Sequence, residues 1–100
     1  MAQQELTILV TNDDGITAPG IRNLVNLVKD FGRVVVVAPD SPQSGMGHAV
    51  TITQPIRLEK MDVFEGIENY QCTGTPVDCV KLAVDQILHQ KPDLVVSGIN

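Results

Sequence analysis

The chain has 100 residues, enough for one small domain at most, with a limited share of its surface available for burial. Its apolar fraction is 43%, with one tyrosine, two phenylalanines and no tryptophan, so Val, Ile, Leu and Ala must build the core, as in buried parallel strands and their covering helices. A net charge of −5 leaves no basic face to release counterions, which argues against a nucleic-acid backbone or an anionic membrane as partner but not against a small nucleotide held through a metal.

Leu6 to Thr11 is an apolar run that breaks at Asn12-Asp13-Asp14-Gly15, the pattern of a buried strand entering a loop. The loop extends to Ala18, and Pro19 opens a helix to about Asp30, because a proline's missing donor is not needed in the first turn. Ile21, Leu24, Val25, Val28 and Phe31 recur at three- and four-residue steps as one apolar stripe, which Gly32 ends. Arg33 to Ala38, with four consecutive valines, is a second buried strand that stops at Pro39-Asp40. Ser41 to His48 is a loop rich in Gly, Ser and Pro. Ala49 to Thr53 and Ile56 to Lys60 read as short strands split at Gln54-Pro55, a hairpin-like excursion, and Asn69 to Thr73 as another short strand. A helix starts at Gly74-Thr75-Pro76-Val77-Asp78, with Thr75 as cap, Pro76 at N1 and Asp78 at N3 beside the positive helix end. Val80, Ala83, Val84, Ile87 and Leu88 form its buried stripe, and His89 reads as a solvated residue favoured by the helix dipole. Pro92 precedes Leu94-Val95-Val96, a third parallel strand, which leads into Ser97-Gly98-Ile99-Asn100.

Strand, helix, strand, excursion, helix, strand predicts an α/β fold with an open parallel sheet and right-handed crossovers. Ligands of such sheets lie outside the carboxyl edges of the strands, and no helix follows the last strand. The expectation is that residues 1–100 are the front part of a longer protein. The N-terminus lacks a signal-peptide pattern and no apolar stretch approaches a membrane span. Cys72 and Cys79 have neither a metal-knuckle nor a redox spacing, so they read as small buried residues with reduced thiols, in a cytoplasmic protein.

Asp13 and Asp14 bring two negative charges together at a strand end, which calls for a compensating cation; a divalent metal bound through oxygen is the simplest. Consecutive strand side chains point to opposite faces, so the backbone must leave strand geometry there, and Gly15 permits the turn. The rival reading is an Asp-Gly hairpin turn, against which stands the helical pattern after Pro19. Gly45 and Gly47 can aim backbone N–H groups inward as an anion-binding nest, although most Gly/Ser loops are only connections. Ser44 offers a hydroxyl and Asn100 a carbonyl oxygen, completing an all-oxygen set that favours Mg²⁺, Mn²⁺ or Ca²⁺ over zinc. His48 is a candidate contact to a phosphate or leaving group and equally a structural residue.

Four stretches carry a resemblance: Ile-Leu-Val-Thr-Asn-Asp-Asp-Gly, Val-Ala-Pro-Asp-Ser-Pro-Gln-Ser-Gly-Met-Gly-His, Thr-Gly-Thr-Pro-Val-Asp-Cys-Val and Leu-Val-Val-Ser-Gly-Ile-Asn. In order and spacing they closely resemble the SurE survival-protein family, over essentially the whole chain. The resemblance implies a Rossmann-like open parallel sheet with flanking helices, of which residues 1–100 are the N-terminal part. It implies a metal-dependent phosphomonoesterase acting on nucleoside 5′- and 3′-monophosphates, with some activity on polyphosphate. Asp13 and Asp14 are then catalytic, and Asp13, Asp14, Ser44 and Asn100 hold one divalent ion per subunit, Mg²⁺ or Mn²⁺ foremost, with Ca²⁺ able to replace it in a crystal. Asn12, Gly45, Gly47 and His48 are the expected substrate contacts. The ion would bind a phosphoryl oxygen and activate a water as nucleophile. The partner is a nucleoside monophosphate, not nucleic acid or membrane, and the family assembles as homodimers or homotetramers through C-terminal extensions.

Three rivals fit less well. Aspartyl-phosphate phosphatases separate their two aspartates by one residue, whereas Asp13 and Asp14 are adjacent. A non-enzymatic Mg²⁺-binding receiver module needs a phosphoacceptor aspartate after a later strand, where this chain has Ser97. A dinucleotide dehydrogenase needs a Gly-x-Gly-x-x-Gly first turn, which is absent; Asp40 matches its ribose-binding acid only by position.

Overall fold

The computed structural model describes residues 6–41 and 56–99. Its elements are β1 (Leu6–Thr11), α1 (Pro19–Val28), β2 (Gly32–Pro39), β3 (Leu58–Met61), β4 (Glu68–Cys72), α2 (Pro76–Leu82) and β5 (Leu94–Ser97). Beyond Leu82 the second helix continues as a wider π-helical segment, Ala83–Leu88. The five strands form one sheet in the order β3-β4-β2-β1-β5. β1 pairs parallel with β2 and β5, β2 pairs parallel with β4, and only β3 runs antiparallel, against β4.

From β1 the chain steps outward to β2, forms the edge strand β3, returns to insert β4 between β3 and β2, then crosses back to place β5 on the other side of β1. The strand order therefore reverses between β1 and β5, the position at which open α/β sheets bind ligands. The core follows from strand alternation. Ile8, Val10, Val34, Val36 and Ala38 pack with Ile21 and Val25 of α1, while Leu9, Val35, Val37 and Cys72 pack with Cys79, Ala83 and Leu88. The two helices thus lie on opposite faces. Two crossovers of one hand require this when the chain steps in opposite directions along the sheet.

The second helix starts as its sequence predicts. Thr75 Oγ1 accepts from the Asp78 N–H at 3.3 Å while Asp78 Oδ2 accepts from the Thr75 N–H at 3.1 Å, a reciprocal capping box. Both thiols are fully buried, and the Cys79 thiol is pushed well above its usual range, first by burial and then by the neighbouring Cys72. No helix among the described residues is long and apolar enough to cross a membrane.

Four expectations need correction. β4 is a full member of the parallel sheet, which makes β5 its fourth parallel strand, not the third. Its polar sequence hid this: Tyr70 and Cys72 face the core under α2, while Asn69 and Gln71 occupy the other face. Buried Asn69 is spent on the preceding turn, bonding Val63, Phe64 and Ile67. The first helix ends at Val28, not near Asp30, and Phe31 is 68% exposed, outside the apolar stripe. Gly32 does not end that helix; it opens β2, where its backbone lies against the Leu6 carbonyl and a Cβ would collide. The expected strand Ala49 to Thr53 lies outside the described residues.

Gly20, in the first turn of α1, lies so close to Ile99 that a Cβ would overlap the Ile99 carbonyl oxygen. This contact fixes the start of α1 against the segment leaving β5. Replacing glycine by alanine within a helix stabilises by roughly 1 kcal/mol, but a backbone collision costs about 1–3 kcal/mol or more. Gly20→Ala is therefore expected to lower the urea-denaturation stability by about 1–2 kcal/mol; an unchanged or higher midpoint would show that the contact gives way without strain.

Candidate functional site

β1 hands over to α1 through a loop closed by one side chain. Asn12 is buried, its Nδ2 donating to the Gly15 carbonyl at 2.8 Å and its Oδ1 accepting from the Gly15 N–H at 3.2 Å. An asparagine bonding its own backbone a few residues on is a common turn-former. Gly15 has φ +109°, a conformation that side-chain-bearing residues rarely adopt. The next N–H, that of Ile16, donates to the Pro39 carbonyl at 3.1 Å, pinning the loop to the end of β2. Ala18 N–H returns to the Gly15 carbonyl at 3.1 Å and leads the chain into α1.

Asp13 and Asp14 are the two residues this clasp spans, and both are half-buried. Among the described residues neither carboxylate has a hydrogen-bond or ion-pair partner. The single salt bridge among those residues, Arg33 to Glu68 at 2.8 Å, lies at the opposite edge of the sheet. Two half-buried carboxylates on adjacent residues thus have no protein cation paired to them among the described residues.

The other strand ends meet this loop. The Gly98 N–H donates to the Thr11 carbonyl at 3.1 Å, carrying the β1–β5 ladder past Ser97, and Asp40 N–H donates to the Cys72 carbonyl at 2.9 Å, carrying the β2–β4 ladder past Pro39. The described parts of all three expected loops therefore abut at one edge. Ser44, Gly45, Gly47, His48 and Asn100 lie outside the described residues.

One residue was not anticipated. Thr11 is 3% exposed, and among the described residues its Oγ1 is buried without a hydrogen-bond partner. Leaving a buried hydroxyl unpaired costs about 1–3 kcal/mol, so it marks a place where a polar partner belongs, one residue before Asn12. The only signal in the sequence was a β-branched hydroxyl at the end of an apolar strand, which reads equally as a strand former. Asn12, expected to touch substrate, has both polar side-chain atoms bonded to Gly15, so its evident work is to shape the loop. No three His, Cys, Asp or Glu side chains gather as a metal-binding group among the described residues. The two adjacent carboxylates offer oxygen donors only, which suits a hard cation that completes its shell with further oxygens or water.

Residues 8–100 match the family model described as survival protein SurE. The chain is 60% identical over 102 residues to a protein named 5′-nucleotidase SurE from Christiangramia forsetii, covering 100% of this chain and 39% of the relative. It is 64% identical over 94 residues to the protein of the same name from Cytophaga hutchinsonii, covering 93% of this chain and 36% of the relative. The crystal structure of the SurE protein from Aquifex aeolicus is similar with a TM-score of 0.77 and 49% identity, covering 94% of this chain and 37% of that one. The chain thus spans less than half the length of the relatives it matches. With four parallel strands, helices on both faces and an Asn-Asp-Asp-Gly turn at the end of β1, it belongs to the SurE family.

Proposed function

We propose that the chain contributes the metal-binding edge of a divalent-metal-dependent phosphomonoesterase that hydrolyses nucleoside 5′- and 3′-monophosphates, and also polyphosphate. One observation carries this reading: Asp13 and Asp14, adjacent in the chain and half-buried, have no partner among the described residues, at the point where the strand order of the sheet reverses. The relatives' name, 5′-nucleotidase, supports the substrate class.

The residues divide the work. Asp13 and Asp14 would hold the cation, Mg²⁺ or Mn²⁺, together with Ser44 and Asn100. When bound, such an ion supplies Lewis-acid stabilisation for charge developing on the phosphoryl oxygens. Asn12 shapes the loop so that neither carboxylate has to leave the site to find a partner, which limits reorganisation on binding. The Thr11 hydroxyl donates to an acceptor oxygen that arrives with the ligands. In this reading the backbone N–H groups of Gly45 and Gly47 would receive the phosphate, and His48 would serve the leaving group.

Asp13→Asn and Asp14→Asn in the full-length protein are each expected to cut metal-dependent phosphate release from nucleoside monophosphates on the order of a hundredfold or more, the scale of losing a charge-stabilising group. Phosphate assays with and without a chelator measure this, and full activity in both variants would reject the site. Thr11→Val removes an unpaired buried hydroxyl at nearly constant shape. It should leave folding stability within about 1 kcal/mol of the parent, or raise it, while lowering turnover roughly tenfold. A large loss of thermal stability with turnover intact would make Thr11 a purely structural residue.

A further inference from the structure

A cavity of ≈ 360 Å³ lies beyond β2, lined by Asp40, Arg57, Leu58, Glu59, Gln71 and Thr73. It opens at the same edge of the sheet as the Asp13–Gly15 loop, since Asp40 follows β2 and Thr73 follows β4. It also lies on the same face. Ala38 packs in the core under α1, and Asp40 follows directly after β2. The pairings Ala38 with Gln71 and Glu59 with Gln71 place the latter two there as well. Ile16, at the far end of the acidic loop, belongs to that same core and bonds the Pro39 carbonyl next to Asp40. α1 packs over β1 and β2, while Arg57, Glu59 and Thr73 remain exposed.

The polar groups of this cavity retain bonding capacity. Thr73 Oγ1 accepts from the Arg57 N–H at 2.9 Å, which leaves its hydroxyl proton to donate. Gln71 Nε2 donates to Glu59 at 2.7 Å, which leaves the Gln71 carbonyl oxygen to accept. The Arg57 guanidinium has no hydrogen-bond or ion-pair partner among the described residues. Asp40 and Glu59 outweigh Arg57 in charge, so the cavity disfavours a second phosphate and favours a neutral ligand rich in hydroxyl donors.

Adjacent strands lie about 4.8 Å apart, so the edge from β1 to β4 spans about 10 Å, a distance that a nucleoside monophosphate bridges from phosphate to base. We propose that this cavity receives the nucleoside of a phosphate ester whose phosphate sits at Asp13 and Asp14. Asp40 accepts hydrogen bonds from the ribose hydroxyls, and the Arg57 guanidinium lies against the face of the base. A carboxylate at the end of a second strand suits vicinal hydroxyls, which donate to it in pairs. A guanidinium is planar and weakly hydrated, so it stacks on aromatic rings of any sequence. The order of groups along the edge, from β1 through β2 to β4 and β3, then matches the order phosphate, ribose, base. This subsite rests on the phosphatase reading above.

The test compares two esters in the full-length protein with Mn²⁺: adenosine 5′-monophosphate, and phenyl phosphate, which has no ribose. Asp40→Asn and Arg57→Ala are each expected to raise KM for the nucleotide about tenfold, the scale of one charge-assisted hydrogen bond or one stacked base, with the effect confined to the ester that carries a nucleoside. Equal losses on both esters, or none on either, would overturn the subsite while leaving the phosphatase reading intact. Failure of the unmodified protein to hydrolyse either ester would overturn the phosphatase reading, and the subsite with it.

Discussion

Two hydrogen bonds between Asn12 and Gly15 decide where Asp13 and Asp14 stand in this chain. They bend the backbone out of strand geometry immediately after β1, so that adjacent residues no longer alternate across the sheet. Without that bend, Asp13 and Asp14 would fall on opposite faces, one toward each helix layer, where burial of a lone carboxylate is costly. With it, they share one turn between β1 and α1. The Ile16 bond to Pro39 then ties this turn to the neighbouring strand, so loop and sheet edge move as one body.

The sheet supplies the rest of the constraint. β1 is flanked by parallel strands on both sides: β5 ends level with it, Thr11 opposite Ser97, while β2, with Val36 opposite Val10, runs on past the end of β1 to Pro39. Parallel pairing sends every loop that follows these strands to one edge. The opposite edge holds the Arg33–Glu68 pair, where the Arg33 guanidinium and then the Tyr70 hydroxyl hold the Glu68 carboxyl below its usual range. Topology therefore separates the two features: the Arg33–Glu68 pair sits at one end of the sheet, and the Asp13 and Asp14 carboxylates at the other.

Apolar periodicity made β1, β2 and both helices legible, because each buries a stripe or run, and β5 was legible as an apolar run although Leu94 and Val95 are exposed at the edge of the sheet. The Thr75 and Asp78 signals located the second helix start, since a capping box is a local interaction written in four residues. β4 was only partly legible as part of the parallel sheet. Its second face is covered by a polar residue, Asn69, bonded to the preceding turn, so its sequence lacks the apolar run of a buried strand and imitates an excursion strand. Phe31 misled by spacing, because periodicity reports which face a residue occupies and not where the helix stops. At the candidate site, the Asp pair was visible as composition. The roles of Thr11 and Asn12 were not, because an unpaired hydroxyl and a closed turn become evident only once the surrounding atoms are placed.

The paired thiols of β4 and the second helix have a kinetic meaning. Cys72 and Cys79 are fully enclosed, and at neutral pH Cys79 carries almost no thiolate, the form that attacks electrophiles. An alkylating reagent can therefore reach them only when the second helix lifts from the sheet, so the pace of labelling becomes a clock for the breathing of that layer.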